Sequence, residues 1–165
     1  MALRNIVTVG DPILGKTCRK VTKFDDRLHE LLDDMAETLD EANGVGLAAP
    51  QVGILRRVVL VDVGEELLEL INPEIIDVQG EQTGMEGCLS VPGKYGIVTR
   101  PMKVTVRAQD RFGDWFEAEG EELIARCFCH ELDHLDGHIY TEKAEKMLTP
   151  EEVEAMMSLP EDEEE

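Results

Sequence analysis

Residues 121–136, EELIARCFCHELDHLD, decide how this chain is organised, because they combine helical periodicity with a run of metal-binding side chains. Gly137 follows directly, at a position where a helix would end. Residues 130–134 of this segment, HELDH, form an HExxH motif. Four residues make just over one helical turn, so both imidazoles point the same way and can share one metal ion. Glu131 would then lie beside that metal, where it could handle a proton from water.

The predicted metal site needs a third protein ligand, since hydrolytic sites usually have three such ligands and one open position. The residue six positions after His134 is Tyr140, where some zinc proteases have another histidine. Glu152 and Glu154 belong to a short acidic segment that is typical of a solvated helix, so we discount them. A cysteine is therefore the better candidate to join His130 and His134.

Four cysteines are available, and their positions separate them. Cys127 lies about 10 Å along the helix from the second histidine, so its sulfur converges poorly with both imidazoles. Cys129 faces the other side of the helix and is most simply a buried core thiol. Cys18 is isolated in the sequence. We therefore assign Cys88 as the third ligand, where the preceding Gly87 allows the backbone to come close.

The rest of the chain predicts an α+β fold in which short antiparallel strands surround one long internal helix. Strands are predicted at residues 57–63, 70–78, 103–108 and 114–118, and further helices at 26–42 and from Thr149-Pro150 to before Pro160. Pro92 is expected to end any strand that follows the third ligand. We expect a single metallohydrolase domain over residues 1–160 and a disordered acidic tail at 161–165.

The composition limits the partners that the chain can have. The formal net charge is −20, and eight acidic residues but no basic ones lie from Glu151 onward. Such a surface repels phosphate backbones and anionic lipids, so we expect no direct binding to nucleic acid or membranes. The first residues lack the pattern of a signal or transit peptide, and a cytoplasmic location is the expectation.

Three motifs in fixed order give the chain a family resemblance. They are GVGLAAPQ at residues 44–51, EGCLS at 86–90 and HELDH at 130–134, and the opening VGDPIL at 9–14 is similar as well. With these motifs the chain resembles the peptide deformylase family over about residues 4–148. Three ordered motifs are far more specific than HExxH alone.

The resemblance implies a role for each matching residue. One divalent metal ion would be held by Cys88, His130 and His134, and Glu131 would shuttle the proton. The Gln51 side-chain amide and the Leu89 backbone N–H would bind the oxyanion. The substrate peptide would be held as an added strand by the backbone around Val45, Gly46 and Gly87.

The implied substrates are N-formylmethionyl peptides and nascent chains, from which formate would be released. Leu123 and Cys127 share the helical face of the first histidine, so either they line a pocket for the methionine or they are ordinary core residues. The resemblance implies ferrous iron in the cell, with zinc possible in the isolated protein. Tyr95 stands where some members carry a substrate-contacting arginine, and Cys129 where many have glutamine. Because an acidic C-terminus would repel ribosomal RNA, we do not extend ribosome docking to this chain.

Two other functions use the same motif. A small zinc endopeptidase could use this HExxH helix, but it would need histidine or glutamate as its third ligand. A metal or redox sensor could use Cys88, Cys127 and Cys129, and it would not need Glu131 as a base.

Overall fold

The computed structural model describes residues 3–157. Within this range the chain combines α-helices with two antiparallel β-sheets, as the predicted α+β class requires. The acidic segment 161–165, for which disorder was predicted, lies outside the described residues. The predicted end of the last helix before Pro160 does so as well.

The helices and strands of the described residues alternate along the chain. They are α1 (Asp26–Glu41), β1 (Gly46–Ala48), β2 (Val58–Asp62), β3 (Leu67–Gln79), β4 (Gln82–Cys88), β5 (Val91–Arg100), β6 (Lys103–Gln109), β7 (Trp115–Glu121), α2 (Leu123–Leu135), β8 (Lys146–Met147) and α3 (Pro150–Met157). Single 3-10 turns occur at Pro12–Gly15, Ala49–Val52 and Tyr140–Glu142.

The larger sheet has five strands in the order β1-β2-β3-β6-β7, and the first four residues of β2, which lies between β1 and β3, are buried. The consecutive apolar residues of β2 point alternately to the two faces of the sheet, because successive side chains of a strand alternate between faces. Val58 and Leu60 belong to the core that includes the apolar side of α1, whereas Val59 and Val61 belong to the core that includes α2. The continuous apolar run in this strand thus results from burial on both faces.

The smaller sheet has three strands in the order β4-β5-β8. Our expectation that Pro92 ends a strand is wrong, because Pro92 is the second residue of β5. The register jumps between the pair Cys88–Val91 and the pair Gly87–Tyr95, so Pro92 lies in a bulged stretch without a partner on β4. At such a position the missing N–H of proline removes no hydrogen bond from the ladder.

Helix α2 begins directly after β7 and carries the HExxH motif. Glu122 turns the chain between them with a positive φ of 53°, and Gly137 adopts φ 81° just after the helix, as predicted. With 13 residues α2 is shorter than α1 with 16, so among the described residues it is not the one long helix that we expected. Its apolar side packs on the larger sheet, while Arg126 and His130 turn towards β4 and β5.

Helix α3 begins as the sequence predicts. The N–H of Glu152 donates to the hydroxyl of Thr149, and the N–H of Thr149 donates to the Glu152 carboxylate, which is a reciprocal cap. Among residues 3–157, no helix combines the length and apolar character needed to cross a membrane.

Candidate active site

Helix α2 buries three of the four polar side chains of its HELDH motif, the exception being Asp133. The exposed fractions are 7% for His130, 4% for Glu131 and 1% for His134. The ring centroids of the two histidines lie 5.2 Å apart, since the residues are one helical turn from each other. Burial is the main cause that lowers the pKa of His134 to about 3. His134 is therefore a neutral imidazole, which is the form that binds metals.

Cys88 comes to this helix from the end of β4. Its Sγ lies 3.4 Å from Nε2 of His134. One ligand atom from each of Cys88, His130 and His134 lies within 4.8 Å of the others, so these three residues form a group that could hold a metal ion. A thiolate and two imidazoles suit a tetrahedral divalent cation that keeps one position open. The residues present therefore fit a metal of this kind.

The remaining cysteines are not part of this group. Cys129 is 7% exposed and packs in the apolar core with Phe128 and Leu132, which confirms the prediction of a core thiol. Cys127 is also buried, and burial raises its pKa well above the ordinary value. The four cysteines of the chain, Cys18 included, are free thiols.

A buried cluster of charged side chains, formed by Glu86, Arg100 and Arg126, contacts the first histidine of the motif. Nδ1 of His130 lies 2.5 Å from a carboxylate oxygen of Glu86. The same carboxylate accepts from Arg100 at 2.7 and 3.2 Å and from Arg126 at 2.8 Å. Burial alone would raise the pKa of Glu86, but the hydrogen bonds with His130 and Arg100 outweigh it and lower the pKa to about 2. Glu86 is thus a carboxylate that fixes the ring of His130 with Nε2 free for a metal.

Glu131 lies beside the ligand group and is buried. Burial raises the pKa of its carboxyl to about 7. Its Oε1 is buried and has no hydrogen-bond partner among the described residues. A Cβ added at Gly46 would come within 2.7 Å of the other carboxylate oxygen, so glycine is needed there for β1 to approach α2. The free oxygen is available for a water molecule or a substrate.

Gln51 reaches the same site from the 3-10 turn after β1. Its Oε1 accepts from the Ala48 N–H at 2.9 Å. Its Nε2 donates to the hydroxyl of Ser90 at 3.1 Å and lies 3.5 Å from Sγ of Cys88. The structure therefore brings the Gln51 amide to the predicted metal ligand.

A cleft of about 460 Å³ opens over these residues. It is lined by all of the predicted substrate-binding residues, namely Val45, Gly46, Gly87, Leu123 and Cys127, and by Leu89. Leu123 is 58% exposed, so ordinary core packing does not explain this residue. Cys127 both lines the cleft and packs in the core, so the two interpretations apply to it together.

Several residues at the site were not singled out from the sequence. Glu86 is next to Gly87 in the EGCLS motif, and this adjacency was the available signal. Arg100 and Arg126 gave none, because their partners are distant in sequence. Tyr140 was considered only as a ligand position; its ring, 1% exposed, instead stacks on His130 with centroids 5.9 Å apart.

Sequence comparison relates the chain to one family. The polypeptide deformylase family model matches residues 3–149. The chain is similar to the peptide deformylase of Agathobacter rectalis, with 63% identity over 148 residues that cover 90% of this chain and 94% of that protein. It is 55% identical over 158 residues to the peptide deformylase of Caldicellulosiruptor bescii, with 96% and 95% covered.

Solved structures agree with this relation. A peptide deformylase from Legionella pneumophila superposes with a TM-score of 0.84 at 43% identity, covering 94% of this chain and 90% of that one. A peptide deformylase from Synechococcus elongatus in complex with actinonin gives a TM-score of 0.85 at 35% identity, covering 96% and 88%.

Proposed function

The chain belongs to the polypeptide deformylase family, and we propose that it is a metal-dependent amidohydrolase that removes the formyl group from formylmethionyl peptides and nascent chains and releases formate. The observation that carries this proposal is the convergence of Cys88, His130 and His134 within 4.8 Å, next to Glu131. A zinc endopeptidase with a downstream glutamate ligand is not supported. Glu152 pairs instead with Lys146 and Thr149 on the surface.

Cys88, His130 and His134 would hold one divalent cation. A cation bound there would supply Lewis-acid chemistry, because it polarises the substrate carbonyl and lowers the pKa of water. Sulfur and nitrogen donors suit ferrous iron or zinc. We assign ferrous iron to the cell, as the family resemblance implies, and zinc as a replacement in the isolated protein.

Glu131 would act as both base and acid. Its buried carboxylate takes a proton from the attacking water and later gives it to the leaving amine, so that a free N-terminal amino group remains. A pKa near 7 suits a group that must both accept and return a proton. The free Oε1 of Glu131 supports this role, since no protein group competes for it among the described residues.

Gln51 and the backbone N–H of Leu89 would stabilise the charge that develops on the formyl oxygen. Preorganised donors of this kind are worth about 3 kcal/mol each in the transition state. The location of Nε2 of Gln51, 3.5 Å from the Cys88 sulfur, supports this assignment.

The substrate backbone would pair with the edge of β1 near Val45 and Gly46 and pass close to Gly87. Two observations support this position: β1 is the outer strand of the five-stranded sheet, and Val45, Gly46 and Gly87 all line the cleft. Tyr95 also lines the cleft, and its ring would lie 2.5 Å from a Cβ at Gly87; it stands at the position of the arginine found in some members. Leu123 and Cys127 would line the pocket for the methionine side chain.

The test is anaerobic purification, followed by metal analysis and measurement of formate released from a formylmethionyl tripeptide. The apoprotein would be reloaded with ferrous iron or zinc, with and without oxygen. We expect one metal per chain, with the ferrous form more active and the zinc form steadier in air, because oxygen attacks ferrous iron and thiolate ligands. Metal-loaded protein that releases no formate would refute the function, whereas equal behaviour of the two metals would refute only the assignment of iron.

A further inference from the structure

The orientation of the Gln51 amide is set by two hydrogen bonds, one at each end. Oε1 accepts from the Ala48 N–H at 2.9 Å, and Nε2 donates to Oγ of Ser90 at 3.1 Å. Two anchors on a planar amide fix both its plane and which end carries the N–H groups. Only the second hydrogen of Nε2 is then left to point towards Cys88.

Ser90 is placed as a rigid partner for this amide. It is fully buried, with an exposed fraction of 0%, and Gln51 is 1% exposed. Ser90 follows Leu89 in the chain, so the hydroxyl that holds Gln51 and the N–H proposed as the second oxyanion donor are carried by neighbouring residues. A shift of this short segment would therefore move both donors.

The N-terminal segment connects the same two loops through the backbone. The N–H of Val7 donates to the carbonyl of Gln51, and the N–H of Val9 donates to the carbonyl of Ser90, each at 2.7 Å. The backbones of Gln51 and Ser90 are thereby held in a fixed relation that does not depend on the Ser90 hydroxyl. Removing this hydroxyl should therefore release the amide and leave the loops in place.

We propose that Ser90 is a positioning residue for the deformylation reaction, whose hydroxyl aims the Gln51 amide at the formyl oxygen. The inference rests on the proposed function and extends it to a residue that is neither among those lining the cleft nor one of the three candidate metal ligands. Without the hydroxyl, the Gln51 amide loses the hydrogen bond from its Nε2, and the amide group can rotate about the Cγ–Cδ bond. The transition state would then lose part of the donor's contribution, while binding of the ground-state peptide would change little.

The test compares Ser90→Ala, Gln51→Ala and the double variant for metal content, thermal unfolding, kcat and KM with a formylmethionyl tripeptide. Removing an oxyanion donor outright costs about a hundredfold to a thousandfold in kcat. For Ser90→Ala we expect a loss of about tenfold to a hundredfold in kcat, with KM, metal content and melting temperature close to the parent. In the Gln51→Ala background, the same serine substitution should cost nothing further, because its effect acts through the amide.

A matched pair of variants at position 90 separates the effect of the hydroxyl group on kcat from the effect of side-chain packing. Ser90→Thr and Ser90→Val have nearly the same shape, but only threonine retains the hydroxyl, so threonine should restore kcat relative to valine. The inference is overturned by unchanged kcat in Ser90→Ala, by losses that multiply in the double variant, or by loss of metal in Ser90→Ala. Parent protein that binds metal but releases no formate would instead refute the proposed function, on which this inference depends.

Discussion

Replacing Glu86 by glutamine should lower the free energy of unfolding by about 3 kcal/mol and also weaken metal binding. The Glu86 side chain is 4% exposed and lies between two guanidinium groups, those of Arg100 and Arg126, whose side chains are 3% and 8% exposed. Glutamine keeps the shape but removes the charge, and its amide N–H₂ would face donors. Arg100 would retain Asp133 at 2.8 Å, whereas Arg126 would keep only the carbonyl of Val98 at 3.1 Å.

Two independent arguments give the expected decrease in the free energy of unfolding. Removing one partner of a buried ion pair costs about 3–5 kcal/mol, and the remaining contact between Arg100 and Asp133 favours the lower end. The lowering of the Glu86 pKa to about 2 from an ordinary value of 4.5 corresponds to about 3 kcal/mol in favour of the carboxylate. Loss of the partner that orients His130 should also weaken metal binding about 10- to 100-fold.

The assay is urea unfolding of metal-free protein, which separates the stability of the fold from that of the metal complex, together with competition against a chelator for metal affinity. Glu119→Gln is the matched control, because Glu119 is 56% exposed and pairs with Lys103 at 3.2 Å on the surface. This control should change stability by less than about 1 kcal/mol. If Glu86→Gln were no more destabilising than Glu119→Gln, the buried cluster would not hold the site together.

Three other substitutions test the site directly. Cys88→Ala should lose most of its metal, because the two remaining imidazoles form an incomplete site. Its control, Cys129→Ala, should keep metal content and activity near those of the parent. The reverse result in metal analysis would show that the ligand assignment is wrong. Glu131→Gln should bind metal normally but lose about 10²- to 10⁴-fold in kcat, and retained turnover with intact metal would show that Glu131 is not the catalytic acid and base. Gly46→Ala should abolish formate release, because the new Cβ would lie 2.7 Å from a carboxylate oxygen of Glu131. The matched change Gly15→Ala places its Cβ in open space and should leave activity unchanged. Full activity of both variants would contradict the close approach of β1 to α2.

The helix that carries the HExxH motif could be predicted from the sequence because the pattern that identifies it is local. The spacing of the histidines and the stop at Gly137 depend only on helical geometry, and α2 begins and ends within two residues of the prediction. Cys88 was found by a different route, as the cysteine left after the others were discounted. The structure places its Sγ 3.4 Å from Nε2 of His134, so an incomplete set of ligands in a sequence indicates where to look for the missing one.

The hairpin of β4 and β5 and the charge cluster could not be predicted in this way. Glycines at 84 and 87 and Pro92 weaken the strand pattern locally, and the pairing of the two strands outweighs these preferences. Arg100 lies 14 residues from Glu86, and Arg126 lies 40 residues away. Contacts of this kind leave no periodic trace, so an arginine in a strand or helix looks like a solvated residue until the fold is known.

The outer position of β1 has a consequence for the breadth of the enzyme's task. An edge of main-chain N–H and C=O groups offers the same pairing to any extended peptide, whatever its side chains. Substrates would then be distinguished by their first residue alone, through its formyl group and the side chain that enters the cleft. Every newly made protein that starts with the same modified residue could be processed by one catalyst, and the thousands of different sequences that follow would be read only as backbone.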